Sequence, residues 1–485
     1  MSLTARLSPK WQQRVGPAAV GRIATRFLPF ADAATPELPL PRLLRLSLFQ
    51  ITCGMAAVLL TATLNRVMIV ELHFPALLVA LMVSIPLLFA PARALIGFKS
   101  DNHRSALGWK RVPYIWFGTL LHFGGFAILP FALLVMTGNG RGSAHWGEVG
   151  AILGFLMVGA GTAMVQTAGL ALATDLAPPA SRPRVVSLLY VMLLVGMLVS
   201  SLLIGRILAD YSATRLVQVV QGVGLATMLL NLTALWKQEP RSRRPAAPDV
   251  APDFRASWRL FIAVPRHRRL LIATGLGAAA FAMQDVLLEP FGGQVLGLAV
   301  GATTALTALW AGGTLLGLAL AARMLARGDD PHRLAGYGAA VGTLAFAFVI
   351  LSGALGETAL LRAGAAGIGF GGGLFAVGTM TAAMALARGG AAGMALGAWG
   401  AVQATCAGLA ILLGGLLKDG VGNLAMQGVL GDALAGTATG YAAVYAVEIT
   451  LLFMTIVALG PLARAEESDA SGGRPVTFGL AEFPG

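Results

Sequence analysis

The stretch AFAMQDVLLEPFGGQVLGL, residues 280–298, holds Gln284, Asp285 and Glu289 inside a long apolar run and then meets Pro-Phe-Gly-Gly. Residues four apart stack on one face of a helix, so Asp285 and Glu289 present their carboxylates together. A charged group costs about 2.5–3.5 kcal/mol at the centre of a bilayer and much less near its surface. Depth therefore decides the chemistry. A deep carboxylate needs a partner and can work as half of a gate or clamp, whereas a shallow one before a proline only ends a helix. The same question attaches to Arg66 and Glu71 in LNRVMIVEL (64–72), to His122 in LLHFGGF (120–126) and to Glu448 in YAAVYAVEITLLF (441–453). His122 has the chemistry of an axial ligand to the magnesium of a chlorin, or it is a buried histidine hydrogen-bonded to a neighbouring helix. Glu448 shares a stripe with Tyr441 and Tyr445 and reads either as a ligand-facing group or as a paired acid between helices.

These residues need membrane helices to position them. The chain of 485 residues is 56% hydrophobic and only 12% charged, against about 25% charged in a soluble domain. Apolar runs of about 20 residues cross a bilayer as helices. Twelve such runs are read near 44–70, 75–97, 113–137, 149–175, 184–209, 215–237, 269–290, 301–323, 333–355, 359–387, 392–417 and 438–463. The expected organisation is a basic N-terminal tail (1–43), a six-helix bundle (44–237), a Pro- and Arg-rich linker (238–268), a second six-helix bundle (269–463) and a C-terminal tail (464–485). Cys53 and Cys406 both lie in apolar runs and read as small core residues.

The net charge of +13 is a matter of orientation. With the N-terminus inside, only Arg66, Arg141, Arg206, Arg215, Arg362 and Lys418 fall at outer ends, and the remaining 29 of 35 Lys and Arg fall on the cytoplasmic side. That asymmetry predicts both termini in the cytoplasm and requires no nucleic acid. The halves repeat one another: GRILAD (205–210) matches GGLLKD (414–419), and LNRVMIVEL (64–72) matches MQDVLLEPF (283–291). Six plus six helices with a basic central loop predict an all-α membrane protein of the major facilitator superfamily fold. The pseudo-symmetry sets Arg66 opposite Asp285 near the outer mouth, with Glu71 and Glu289 beside them. The loop GFKSDNHRSALGWKR (97–111) offers a cytoplasmic latch, Asp101 with Arg104, Lys110 or Arg111, or else a solvated basic loop.

The stretches 46–72, 100–120, 173–194 and 283–317 resemble the PucC/LhaA family of purple phototrophic bacteria, and the resemblance covers about 41–463. It implies a branch of the major facilitator superfamily that helps to assemble light-harvesting antenna complexes. It also implies antenna polypeptides and bacteriochlorophyll as partners or cargo, and the inner, intracytoplasmic photosynthetic membrane as location. It supplies no agreed catalytic residues.

Three functions compete on the residues. A light-harvesting assembly factor suits polar groups such as His122 and Glu448 on supporting spans. Alternating-access transport of a hydrophobic or porphyrin-like solute suits Arg66, Glu71, Asp285 and Glu289. Those four cluster at one mouth, however, and the fourth span carries only Gln166 at mid-depth. An enzyme of pigment synthesis would need clustered aspartates for magnesium diphosphate, and the only adjacent pair is Asp329-Asp330 in a short turn. The expectation is a non-enzyme with no resident metal or nucleotide.

Overall fold

The computed structural model describes residues 38–88, 109–137, 144–178, 181–239, 259, 261–386 and 392–470. The described residues fold as helices: α1 (Leu40–Glu71), α2 (Ala76–Leu88), α3 (Val112–Met136), α4 (Ala144–Leu176), α5 (Arg182–Ile207), α6 (Ala213–Leu235), α7 (Pro265–Gln294), α8 (Val300–Ala326), α9 (Pro331–Leu355), α10 (Thr358–Leu386), α11 (Ala392–Met426) and α12 (Thr437–Ala470). Eleven of the described helices are long and apolar enough to cross a membrane, and α2 is the shorter one. Each expected span has its helix. The ends differ: α1 begins four residues into the expected tail, α11 runs on to Met426, and α12 runs on to Ala470. Most of the 238–268 linker, with Asp101 and Arg104 of the expected latch, lies outside the described residues.

Local chemistry sets several ends. Pro113, Pro265 and Pro331 stand in first turns, where the missing N–H costs nothing. Asp330 caps α9 by accepting from the His332 N–H at 2.9 Å, and Gly356 closes it in the left-handed conformation. Exposed Leu, Phe, Val and Met side chains on α3, α6, α8 and α12 make the apolar exterior. Inside, small residues bring backbones together. A Cβ on Gly118 of α3 would stand 2.9 Å from the Gly161 carbonyl oxygen of α4, so that contact requires glycine.

Contacts between the halves run through α5 with α8 and α2 with α11. A Cβ on Gly301 would stand 2.3 Å from the Gly205 carbonyl oxygen, and one on Gly415 would stand 2.6 Å from the Ala80 Cβ. Gly205 and Gly415 belong to the two repeated sequences at the ends of α5 and α11. The repeat thus marks where the halves touch.

α1 and α7 are both irregular at their aligned positions. α1 widens into π turns at Val58–Leu64 and Val67–Glu71, on either side of Asn65 and Arg66. α7 tightens into a 3-10 turn at Met283–Val286, which holds Gln284 and Asp285, and resumes as an α turn at Leu288–Gln294. π turns and broken membrane helices concentrate at functional positions because they redirect backbone groups and side chains. The expectation that Pro290 ends the helix is corrected here. The 3-10 turn restarts the helix at Leu288, so Pro290 falls in a first turn, where its ring needs no hydrogen bond.

Candidate functional site

The polar residues gather at the end of the bundle opposite the termini. Four hydrogen bonds cross between the halves there. Asn65 Nδ2 donates to the Asp285 carbonyl (3.2 Å) and Arg66 Nη2 to the Leu298 carbonyl (3.0 Å). Gln294 Nε2 donates to the Ile69 carbonyl (3.2 Å), and the Leu77 N–H donates to Asp419 Oδ2 (2.7 Å). The Tyr441 hydroxyl donates to Gln294 Oε1 (2.7 Å), the Lys418 ammonium lies 5.2 Å from the centre of the Tyr441 ring, and Lys418 pairs with Asp419 at 3.2 Å. The result is a continuous polar chain from α1 through α7, α12 and α11 to the start of α2. It forms a clamp.

Arg66 is the cation of this clamp, but its partner differs from the expected one. Arg66 Nη1 pairs with Glu71, one turn on in its own helix, and Nη2 reaches across to Leu298. It does not bond the Asp285 carboxylate. The π turn between Arg66 and Glu71 brings these two side chains together, and Gly293 leaves room for the guanidinium. A Cβ at Gly293 would stand 3.1 Å from Arg66 Nη2. The Gly-Gly pair after Pro290 is therefore a seat for an arginine. Tyr211, in the loop between α5 and α6, lies near the same ion pair. Burial pushes its hydroxyl above the ordinary value, Glu71 adds to that, and Arg66 opposes it.

The carboxylates are more enclosed. Glu289 is only 3% exposed, so protein surrounds it on all sides. It accepts from the Thr307 hydroxyl of α8 at 2.5 Å. Asp285 Oδ1 accepts from the neighbouring Gln284 Nε2 at 2.5 Å. Glu448 of α12 is fully buried, close enough to Asp285 and the Gln284 backbone to interact with both. Neither Glu448 oxygen has a well-formed hydrogen bond, and the Tyr445 hydroxyl one turn before also lacks one. Asp285 and Glu448 thus lie together at the 3-10 turn of α7, while Glu289 is tied to Thr307 of α8. The Tyr441–Tyr445 stripe packs edge-on against Phe291, with ring centres 5.6 Å away in each case.

His122 stands apart. It is fully buried between α3 and α4, and its Nε2 is 2.6 Å from the Thr162 hydroxyl, which donates onward to the Val158 carbonyl. His122 is therefore the donor at Nε2, and Nδ1 has no partner. Of its two readings, the geometry is that of a helix-to-helix hydrogen bond. In this conformation no face of the ring is open to a ligand.

At the other end of the molecule, Arg111 has a carboxylate partner on α4, and the N–H groups at the start of α3 share another carboxylate; the Asp101 half of the expected latch lies outside the described residues. Arg111 Nε bonds Asp175 Oδ2 of α4 at 3.1 Å. The Glu239 carboxylate accepts the N–H groups of Lys110 (2.6 Å), Arg111 (3.1 Å) and Val112 (2.9 Å) at the start of α3. Sequence reasoning missed Glu239, Asp175 and Gln294. It also missed the buried bridge in which Thr52 donates to Asn231 Oδ1 and Asn231 donates to Thr119, each at 2.9 Å. Single neutral polar residues in apolar runs carry no spacing signal. For Asp419 the signal was present, in the GGLLKD repeat.

Known proteins resemble both the fold and the sequence. The fold is similar to a bacterial homologue of the human lysosomal transporter Spinster in an inward-facing, unoccupied conformation. Its TM-score is 0.68 at 16% identity, covering 88% of this chain and 97% of that one. The chain has the major facilitator fold. It is 57% identical to Protein PucC of Rhodovulum sulfidophilum, across 84% of this chain and 92% of the relative. It is 52% identical to an uncharacterized protein in the puhA-bchM intergenic region of Rhodobacter capsulatus, across 96% and 98%. The family described as PUCC protein matches residues 63–467, a span that holds α2–α11 whole and every residue of the clamp together with Asp285, Glu289 and Glu448, and the chain belongs to that family.

Proposed function

We infer that this protein is an assembly factor for bacterial light-harvesting antenna complexes, binding or delivering bacteriochlorophyll and antenna polypeptides in the photosynthetic membrane. The observation that carries the reading is membership of the PUCC family over most of the chain, together with the assembly role that the PucC/LhaA resemblance implies. In this reading the protein sits in the inner, intracytoplasmic membrane. The asymmetry of Lys and Arg supports cytoplasmic termini. Pigment is cargo in this reading and the protein makes none of it; no metal or nucleotide takes part.

The buried acids are compatible with the same reading. Glu448 is fully enclosed in this conformation and lies against Asp285 and the Gln284 backbone, so it meets a cargo with hydrogen-bond donors only once the clamp opens. The clamp supports a second reading, alternating-access transport of a hydrophobic or porphyrin-like solute. Its four cross-half bonds, two of them to charged groups, are together worth on the order of 4–9 kcal/mol. That is comparable to the roughly 8 kcal/mol of a micromolar ligand, so only a cargo or partner that binds the open arrangement far better than the closed one would offset these bonds.

Purification in mild detergent from pigmented cells, followed by absorption and mass spectra, tests the assembly reading. Bacteriochlorophyll or antenna polypeptide in stoichiometric amounts is expected. A colourless protein without partners, in cells whose antenna is normal without it, would contradict the proposal.

A further inference from the structure

Helices α3 and α6 meet at the terminal end of the bundle, tied by Glu239 to the first turn of α3. Beside this tie lies a cavity of about 410 Å³, lined among others by Trp109, Trp116, Leu232, Trp236 and Lys237. Trp236 is 65% exposed, and Leu232 and Phe117 are exposed as well, so the cavity opens on the apolar flank of the bundle. Lys237 has a left-handed backbone, φ 53°, which is uncommon for any residue but glycine. Its neighbour Gln238 is held by Arg42, which donates to the Gln238 side chain at 3.1 Å and to its carbonyl at 2.6 Å. The chain is thus turned at Lys237, whose side chain is exposed.

The charges nearby are already committed. Glu239 accepts from α3, and Arg111 is turned to Asp175. Lys237 makes no ion pair among the described residues. One available cation therefore overhangs a tryptophan-lined apolar floor where helices leave the membrane. A volume of about 410 Å³ is in the range of a small-ligand site, roughly 300–1,000 Å³. Even two turns of a helix about 10–12 Å across occupy more than that volume. Basic pockets between helices recognise anionic headgroups, and tryptophan favours the interfacial depth.

We propose that this groove is a binding site for an anionic phospholipid, with the headgroup phosphate on Lys237 and an acyl chain along Trp116, Leu232 and Trp236. The site is separate from the clamp and does not depend on the assembly reading.

Native mass spectrometry of the full-length protein, delipidated and then given equal phosphatidylglycerol and phosphatidylcholine, reads the proposal directly. The wild-type chain retains phosphatidylglycerol preferentially. Lys237→Asn keeps a residue type that tolerates the left-handed backbone and lowers that preference about five-fold, the contribution of one cation near a lipid surface. Lys237→Arg restores it, and Trp236→Ala lowers retention of both lipids. Size-exclusion elution and helical circular dichroism confirm that each variant is folded. Equal retention of the two lipids by the wild-type chain, or an unchanged preference in Lys237→Asn, would overturn the proposal. So would a polypeptide or a second copy of this chain bound in place of lipid.

Discussion

Arg66 commits one nitrogen to Glu71 of its own helix and one to the Leu298 carbonyl of the other half. Arg66→Ala removes both and leaves Glu71 unpaired. The expected loss is about 3 kcal/mol, the lower end for breaking a buried pair, because Glu71 is partly exposed. Chemical denaturation in detergent measures it. Glu448→Met tests the opposite case. It replaces an unsatisfied buried acid with an apolar group of similar size, so stability holds or rises while antenna accumulation falls. Lower stability with normal antenna would mean that the acid is structural. His122→Phe removes one hydrogen bond to Thr162, about 1 kcal/mol, and leaves any co-purified pigment in place, because the ring is enclosed. Loss of pigment in that variant would reinstate His122 as a ligand. The sequence singled these residues out, because polar and charged groups in apolar runs are conspicuous. Their partners were not legible. The aligned repeats set Arg66 opposite Asp285, but a π turn and a glycine seat redirect it, and neither follows from charge spacing.

At the scale of elements, the breaks in α1 and α7 do the positioning. Twelve apolar runs located twelve helices, because backbone groups in lipid must bond within the segment. The π and 3-10 turns stayed hidden, because they change hydrogen-bond register without changing hydropathy. Pro290 showed the cost of reading a proline without its turn. The Glu239 tie was equally silent, since a carboxylate after a helix end gives no hint that it caps a different helix. Glu239→Ala leaves the first N–H groups of α3 without their acceptor and is expected to lower stability by about 1–2 kcal/mol. An unchanged denaturation midpoint would show that solvent replaces it. Gly301→Leu would drive a side chain into the Gly205 carbonyl and is expected to prevent the α5–α8 contact. Cysteines placed at Gln294 and Ile69 in that background should then fail to cross-link, whereas they cross-link in the wild-type helix packing.

At the scale of the whole molecule, two six-helix sets meet through a polar clamp at one end, with enclosed carboxylates of α7 and α12 near it. The fold is shared with transporters, and the family is PUCC. Fold alone does not choose between moving a solute and chaperoning pigment and polypeptide into an antenna. The most direct measurement is the near-infrared absorption of membranes from the pigmented host with and without this protein, normalised to total bacteriochlorophyll. The assembly account predicts weakened antenna bands without the protein, restored by the intact chain and not by Glu448→Met. Antenna bands of full height in its absence would contradict that account.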